Sequence, residues 1–241
     1  MTSLQQLMSP VRRAVDDYKM IKSGDKIAVG LSGGKDSVAM LSALAGLKRF
    51  YPESFDIIAI RIDAGLEYDK AQEEGLRLYA ESLGITYHVE KTEIYQVVFE
   101  ERKEKNPCSL CANMRRGALN QTAKKLGCNK VALGHHADDL IETFFLSMIY
   151  EGRLSTFHPV TYLSKADLTV IRPMIYVKES MIKSFMKDKP ILVNPCPVDK
   201  HTQREEVKTT IFELSKKYPL IKDNLFNALT NDDRHNLFKK P

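Results

Sequence analysis

Along the chain, short apolar runs alternate with longer stretches in which apolar residues recur every three or four positions. The run 27–31 is bounded by polar residues and has the length of a buried strand. After a glycine-containing loop, Val38, Met40, Leu41, Leu44 and Leu47 recur at helical spacing, and 55–62 (FDIIAIRI) reads as a second strand. A strand–helix–strand unit of this kind predicts parallel strands and a right-handed crossover. The pattern then repeats. Residues 69–83 read as a helix closed by Gly84, 85–89 as a strand, and 114–126 as a helix closed by Gly127. Residues 130–133 are strand-like and 137–150 helical. Regular alternation predicts an α/β fold, a doubly wound, mostly parallel sheet with helices on both faces.

Beyond Gly152 the pattern weakens. Residues 170–173 read as an extended edge segment and 178–187 as a helix. Asn194-Pro195-Cys196-Pro197 is a stiff turn, since neither proline can continue a helix. An amphipathic helix over 205–217 places Val207, Ile211 and Leu214 on one face, and the tail 232–241 reads as peripheral. The expected division is a helical segment over 1–24, a main domain over 25–190, and a small helical extension over 191–241 that carries the last cysteine.

Composition narrows the class. With 241 residues, 43% of them hydrophobic and 28% charged, the chain can bury a full core as one domain with an appendage. It has no run of about eighteen apolar residues, and its start lacks a basic-then-apolar export pattern. Cytoplasm, with no membrane contact, is the expectation. A formal charge of +5 permits a nucleic-acid partner without requiring one.

The first chemistry lies between the first strand and the following helix, in Ser32-Gly33-Gly34-Lys35-Asp36-Ser37. Ligands of open α/β sheets bind at that carboxyl edge. Gly33 and Gly34 let backbone amides turn toward an anion, and the helix start adds unpaired N–H groups and partial positive charge. Lys35 supplies a mobile cation, and Ser32 and Ser37 supply hydroxyls. The spacing differs from G-x-x-x-x-G-K-[ST]. A plainer role for the loop is a Gly-Gly turn whose helix is capped by Asp36 or Ser37.

A second motif, Gly134-His135-His136-Ala137-Asp138-Asp139, leads from strand to helix and brings Glu142 one turn later. Three carboxylates at one helix start are costly without a cation, and hard oxygen ligands suit Mg²⁺. As ordinary first-turn carboxylates, Asp138 and Asp139 would instead serve the helix alone. Asp63, closing the second strand, is a further candidate for a nucleotide pocket.

The four cysteines are Cys108, Cys111, Cys128 and Cys196. In a cytoplasmic chain Cys108-x-x-Cys111 reads as metal-binding or redox-active. Zinc would need a fourth ligand, which His201 or Cys128 could supply. Three thiolates alone suit an iron–sulfur cluster with one open iron. Cys128, just before a strand, reads as a small buried hydrophobe.

SGGKDS after an apolar strand resembles the signature of the pyrophosphatase-loop ATPases, of the adenine nucleotide alpha hydrolase-like (HUP) type. The resemblance implies ATP cleavage between the α and β phosphates and attachment of AMP to a carbonyl oxygen. PCSLCANMRRGAL, GHHADDLIETFFLSMIYEGR, VIRPM and KYP further resemble the tRNA 2-thiocytidine synthetases. That likeness implies an ATP-dependent sulfurtransferase that adenylates O2 of an anticodon-loop cytidine, with a 4Fe-4S cluster delivering sulfur. Carried over, Cys108, Cys111 and Cys196 would ligate the cluster, residues 32–37 would bind phosphate, Gly134 and His135 would line the nucleotide pocket, and Asp36 and Asp139 would hold Mg²⁺. It also implies tRNA as substrate, a cysteine desulfurase or free sulfide as sulfur donor, and a homodimer. Related sequences commonly carry a second C-x-x-C around Cys196, where Asp199 stands here.

Two other activities share part of this pattern. A desulfidase would use the open iron but would not obviously need ATP, and a tRNA lysidine synthetase would use the loop but not the thiols. For RNA itself, Arg115 and Arg116 stand one turn beyond the thiols, where phosphates would pass. Lys124, Lys125, Arg153, Arg172 and Lys178 extend the basic character, each equally readable as a solvated charge.

Overall fold

The computed structural model describes residues 1–102, 107–196 and 203–236. Six strands form one sheet: β1 (Asp25–Gly30), β2 (Phe55–Asp63), β3 (Thr86–Lys91), β4 (Lys130–Ala132), β5 (Val160–Leu163) and β6 (Leu168–Ile171). Their order is β3-β2-β1-β4-β6-β5, and every pairing is parallel except β5 with β6. This is the expected mostly parallel α/β sheet. Chain order reverses between β1 and β4, and such a switch point leaves a crevice at the carboxyl ends of those strands.

The helices are α1 (Leu4–Asp17), α2 (Lys35–Lys48), α3 (Lys70–Ser82), α4 (Pro107–Lys125), α5 (Ala137–Glu151), α6 (Glu179–Phe185), α7 (Gln203–Lys217) and α8 (Ile221–Thr230). Among the described residues no helix is long and apolar enough to cross a membrane. Two compact units emerge. One comprises residues 1–136 and 158–198, the other 137–157 and 199–241. This differs from the linear division expected from sequence, because α5 comes from mid-chain yet shares its core with α7 and α8.

In the first unit, α2 packs on β1 and β2 and is covered by α1 and α6. Burial all round explains why residues 37–47 are without exception buried and why α2 has no polar face. On the other face, Ala28, Ile60, Val131 and Val170 pack with Leu119 and Ala123 of α4. In the second unit, Ile141 and Phe145 of α5 meet Val207 and Ile211 of α7, with Leu225, Phe226 and Leu229 of α8 against them. Burial of each such side chain stabilises by about 1.5–3 kcal/mol.

Several elements depart from the sequence reading. The edge strand is β5, and β6 lies inside it; the two are joined through a turn in which Asp167 takes φ 47°, a conformation aspartate tolerates. Helix α4 begins at Pro107, seven residues before its predicted start, which places the C-x-x-C in its first turn. A π-helical turn, Gln96–Glu101, and α8 were not expected at all.

Candidate active site

The phosphate loop leaves β1 and enters α2 at the switch point. Gly33 has φ 87°, which a side chain would strain, and a Cβ there would lie 2.4 Å from the Cβ of Leu192. Leu192 is buried, and its N–H donates to the Gly33 carbonyl at 2.9 Å. The segment that carries Cys196 is thereby seated on the loop, and Val193 N–H holds it to Gln72 Oε1 at 2.9 Å.

Gly34 caps α2 without any side-chain cap, so the capping role considered for Asp36 and Ser37 is not used. Instead Ser37 Oγ donates to the Gly34 carbonyl at 2.9 Å, and Ser32 Oγ to Ser37 Oγ at 3.1 Å. The amides of the helix start are left to an anion.

Lys35 is shared. Its Nζ lies 2.9 Å from Asp36 Oδ2 and 3.1 Å from Oε1 of Glu179, the first residue of α6. Burial pushes the Lys35 ammonium down, but Asp36 and Glu179 outweigh it and hold it above the usual lysine range. Asp36 also faces the buried His136, whose Nε2 lies 3.6 Å from Oδ1. The loop after β4 reaches this close because Gly134 has no side chain: a Cβ would meet the Asp36 carbonyl and Ser37 nitrogen at 3.2 Å.

His135 accepts from Arg172 Nε on its Nδ1 at 3.2 Å. Burial, and then the charge of Arg116, pull the Arg172 guanidinium down to about 10. Asp63 ends β2 at the same sheet edge, and its carboxylate accepts from Gly65 N–H at 3.0 Å. It therefore has a local turn-forming role beside any toward a ligand.

Three of the four cysteines share one neighbourhood. Burial pushes the Cys111 thiol up, Arg115 opposes this, and Cys196 and Cys108 add to the rise. Cys108 is exposed, while Cys111 and Cys196 are half-buried. Tyr68, whose ring lies under the Arg61 guanidinium at 4.4 Å, feels Arg115, Asp63 and Cys111 in turn, so the strand-end acid and the thiols border one polar region. Cys128 stands apart, buried among apolar side chains as expected. Among the described residues no three His, Cys, Asp or Glu stand close enough to hold a metal ion. As soft donors, these thiols would suit an iron–sulfur cluster better than a hard cation. Asp199 and His201 lie outside the described residues.

In the second unit, the carboxylates that open α5 have protein cations beside them. Lys222 Nζ lies 2.8 Å from Asp138, and Arg204 Nη1 lies 2.9 Å from Glu142 and 3.4 Å from Asp139. Burial and then Asp139 push the Glu142 carboxyl up, against Lys208 and Arg204. Clustered acids here thus do not by themselves require a metal, and Asp139 as a magnesium ligand rests on the resemblance alone.

Of the basic residues, Arg116 donates to Asn113 at 2.6 Å and is exposed, and Lys124 pairs with Asp167 at 2.6 Å. Sequence reasoning missed Glu179, Leu192 and Arg204. Each acts on a site residue from more than sixty positions away, and no local spacing announces such a contact.

Residues 3–214 match the model of a family described as the PP-loop domain. A tRNA-cytidine(32) 2-sulfurtransferase of Geobacter sulfurreducens is 38% identical, over 94% of this chain and 90% of that protein. Its counterpart in Pelobacter propionicus is 40% identical, over 94% and 86%. Among solved structures, the U34-tRNA thiolase NcsA from Methanococcus maripaludis, with its [4Fe-4S] cluster, superposes with a TM-score of 0.75 at 26% identity, over 94% of this chain and 78% of that one. On the loop, the sheet and these matches together, the chain belongs to the PP-loop domain family and, within it, to the tRNA-cytidine 2-sulfurtransferases.

Proposed function

We propose that this protein is an ATP-dependent tRNA sulfurtransferase that replaces the C2 oxygen of an anticodon-loop cytidine with sulfur. The observation that carries this reading is the shared sheet edge. Leu192 rests on Gly33 of the phosphate loop, four residues before Cys196, the thiol that bears on Cys111 together with Cys108. Relatives about 40% identical are named for sulfur transfer to tRNA cytidine, and the similar U34-tRNA thiolase holds a [4Fe-4S] cluster.

The chemistry follows from the poor leaving ability of a ring carbonyl oxygen. O2 of the cytidine attacks the α-phosphorus of ATP, the bond from that phosphorus to the bridging oxygen breaks, and pyrophosphate departs. Amides of Gly33, Gly34 and the α2 start, with the Lys35 ammonium, receive the charge that builds on it. Ser32 and Ser37 would donate to the same phosphates on turning from the hydrogen bonds they make to Ser37 and to the Gly34 carbonyl, and Asp63, Gly134 and His135 line the nucleotide pocket. Hydrosulfide then attacks C2, the C2–O bond breaks, and AMP leaves with the former cytidine oxygen. The hydrosulfide proton goes to the products and no net oxidation occurs.

Magnesium would supply positive charge against the pyrophosphate, and Asp36 would be its ligand in the loop. Cys108, Cys111 and Cys196 would hold a 4Fe-4S cluster, which would supply a binding place for sulfide. Sulfur comes from a cysteine desulfurase or free sulfide, and the enzyme works in the cytoplasm as a homodimer.

Anaerobically prepared protein is expected to contain about four irons per chain with matching sulfide. Cys108→Ala, Cys111→Ala and Cys196→Ala each lose that iron, and Cys128→Ala keeps it. In the host lacking the gene, mass spectrometry of tRNA nucleosides shows 2-thiocytidine disappearing. Stoichiometric zinc without iron or sulfide would overturn the cluster, and unchanged 2-thiocytidine would overturn the substrate.

A further inference from the structure

Lys35 is held from two sides, and only one of its anions belongs to the loop motif. Asp36 is its chain neighbour, whereas Glu179 arrives from α6, 144 positions away, and places Oε1 at 3.1 Å from Nζ. The other Glu179 oxygen is fixed by Lys183 Nζ at 2.9 Å. An alternating row results, Asp36–Lys35–Glu179–Lys183, in which the carboxylate beside Lys35 is itself anchored.

We propose that Glu179 is a positioning residue for the adenylation step, aiming the Lys35 ammonium at the pyrophosphate that leaves the loop. The inference rests on the reading of Lys35 as the phosphate cation. A lysine has four rotatable side-chain bonds, and an ammonium next to Asp36 alone would settle on that carboxylate, where both oxygens already lie within 3.0 Å. Glu179 pulls it to a point between two elements. The same division of labour operates in protein kinases, where a helix-borne glutamate pairs with the phosphate-binding lysine. Burial alone would push the Glu179 carboxyl up, but Lys183 and Lys35 more than offset it and hold it at about 2, so the anion is present at any working pH.

Electrostatics makes the sign of the effect diagnostic. A carboxylate near a triphosphate repels it, so removing one that did nothing else would tighten nucleotide binding and leave turnover intact. A positioning group works the other way: its loss costs rate, because misplacing a catalytic cation by about 1 Å can cost up to 100-fold.

The test uses cluster-loaded enzyme with unmodified tRNA, sulfide and ATP under anaerobic conditions, following pyrophosphate release. Binding of α,β-methylene-ATP with Mg²⁺ by calorimetry gives a second readout that needs no turnover. Glu179→Gln is expected to lower kcat between about tenfold and 100-fold, with analogue affinity unchanged or tighter. Glu179→Asp, which keeps the charge on a shorter arm, is expected to recover part of the loss. Lys183→Met is expected to lose less than Glu179→Gln, because the carboxylate stays beside Lys35 and gives up only its second contact. Wild-type kcat in Glu179→Gln would overturn the inference, and so would an equal loss in Lys183→Met, which would assign the effect to α6 itself. Lys35→Ala separates the two levels. If it is inactive while Glu179→Gln is normal, only this inference falls; if Lys35→Ala turns over normally, the reading of the loop falls with it.

Discussion

Asp36 is the residue on which most of the proposed chemistry converges. Its carboxylate meets Lys35 Nζ and faces His136, and its backbone carbonyl lies against the turn that Gly134 makes possible. Replacing it by Ala removes the proposed metal ligand and the anchor of the lysine together. Pyrophosphate release is expected to fall by roughly 100-fold or more. Iron and sulfide should stay at wild-type content, because the thiols lie in α4 and the 190s segment. Turnover equal to wild type would remove Asp36 from the site. The Cys111 thiol, raised by burial, gains its thiolate only with a compensating cation, so loading of a metal or cluster there releases a proton.

Between elements, the most consequential polar contact outside the site joins the starts of β1 and β4. Lys130 Nζ lies 2.7 Å from Asp25 Oδ2 and donates to the Met20 carbonyl at 2.6 Å, with both residues buried. Burial pushes the Asp25 carboxyl up, but Lys130, the Lys22 N–H and Asn129 outweigh it and hold it below the usual range. A depressed carboxylate stabilises the fold above its unfolded pKa of about 3.9, and that contribution is lost as pH falls through the lower folded value. Lys130→Met leaves Asp25 buried without its cation, with only the Lys22 N–H and Asn129 as donors, at a cost of about 3 kcal/mol near pH 7. The gap to wild type is expected to narrow toward pH 3, as protonation removes the stranded charge. Urea melts at several pH values measure both trends; a gap that does not narrow would show that the pair is not the source.

At the scale of the whole molecule, a tRNA has to reach the thiols. Arg115 borders Cys111 and Tyr68, and Arg116 is exposed one residue on, so phosphates passing the thiols meet both. If they do, changing both arginines to Ala weakens tRNA binding and shallows the plot of log affinity against log salt by roughly 0.7 to 0.9 per lost phosphate contact. Binding of α,β-methylene-ATP should be unaffected. Superimposable salt series for wild type and the double variant would place the RNA elsewhere. Lys124, tied to Asp167, is expected to contribute less than its position on the same helix suggests.

What the sequence determined by itself was local. SGGKDS after an apolar run, the alternation of strands and helices, and C-x-x-C all lie in short patterns, because hydrogen bonding within helices and turns is set by neighbours. Those patterns sufficed for the parallel sheet and for the family. Tertiary structure decided what depends on elements meeting. It seated Leu192, and with it the segment that carries Cys196, on Gly33, put Glu179 on Lys35, and set Arg204 and Lys222 beside acids that the sequence alone assigned to a metal. It also grouped α5 with α7 and α8, against the linear order. A charge finds its partner across space rather than along the chain, and no spacing in the sequence records which of 67 charged side chains, 36 basic and 31 acidic, will be the one it meets.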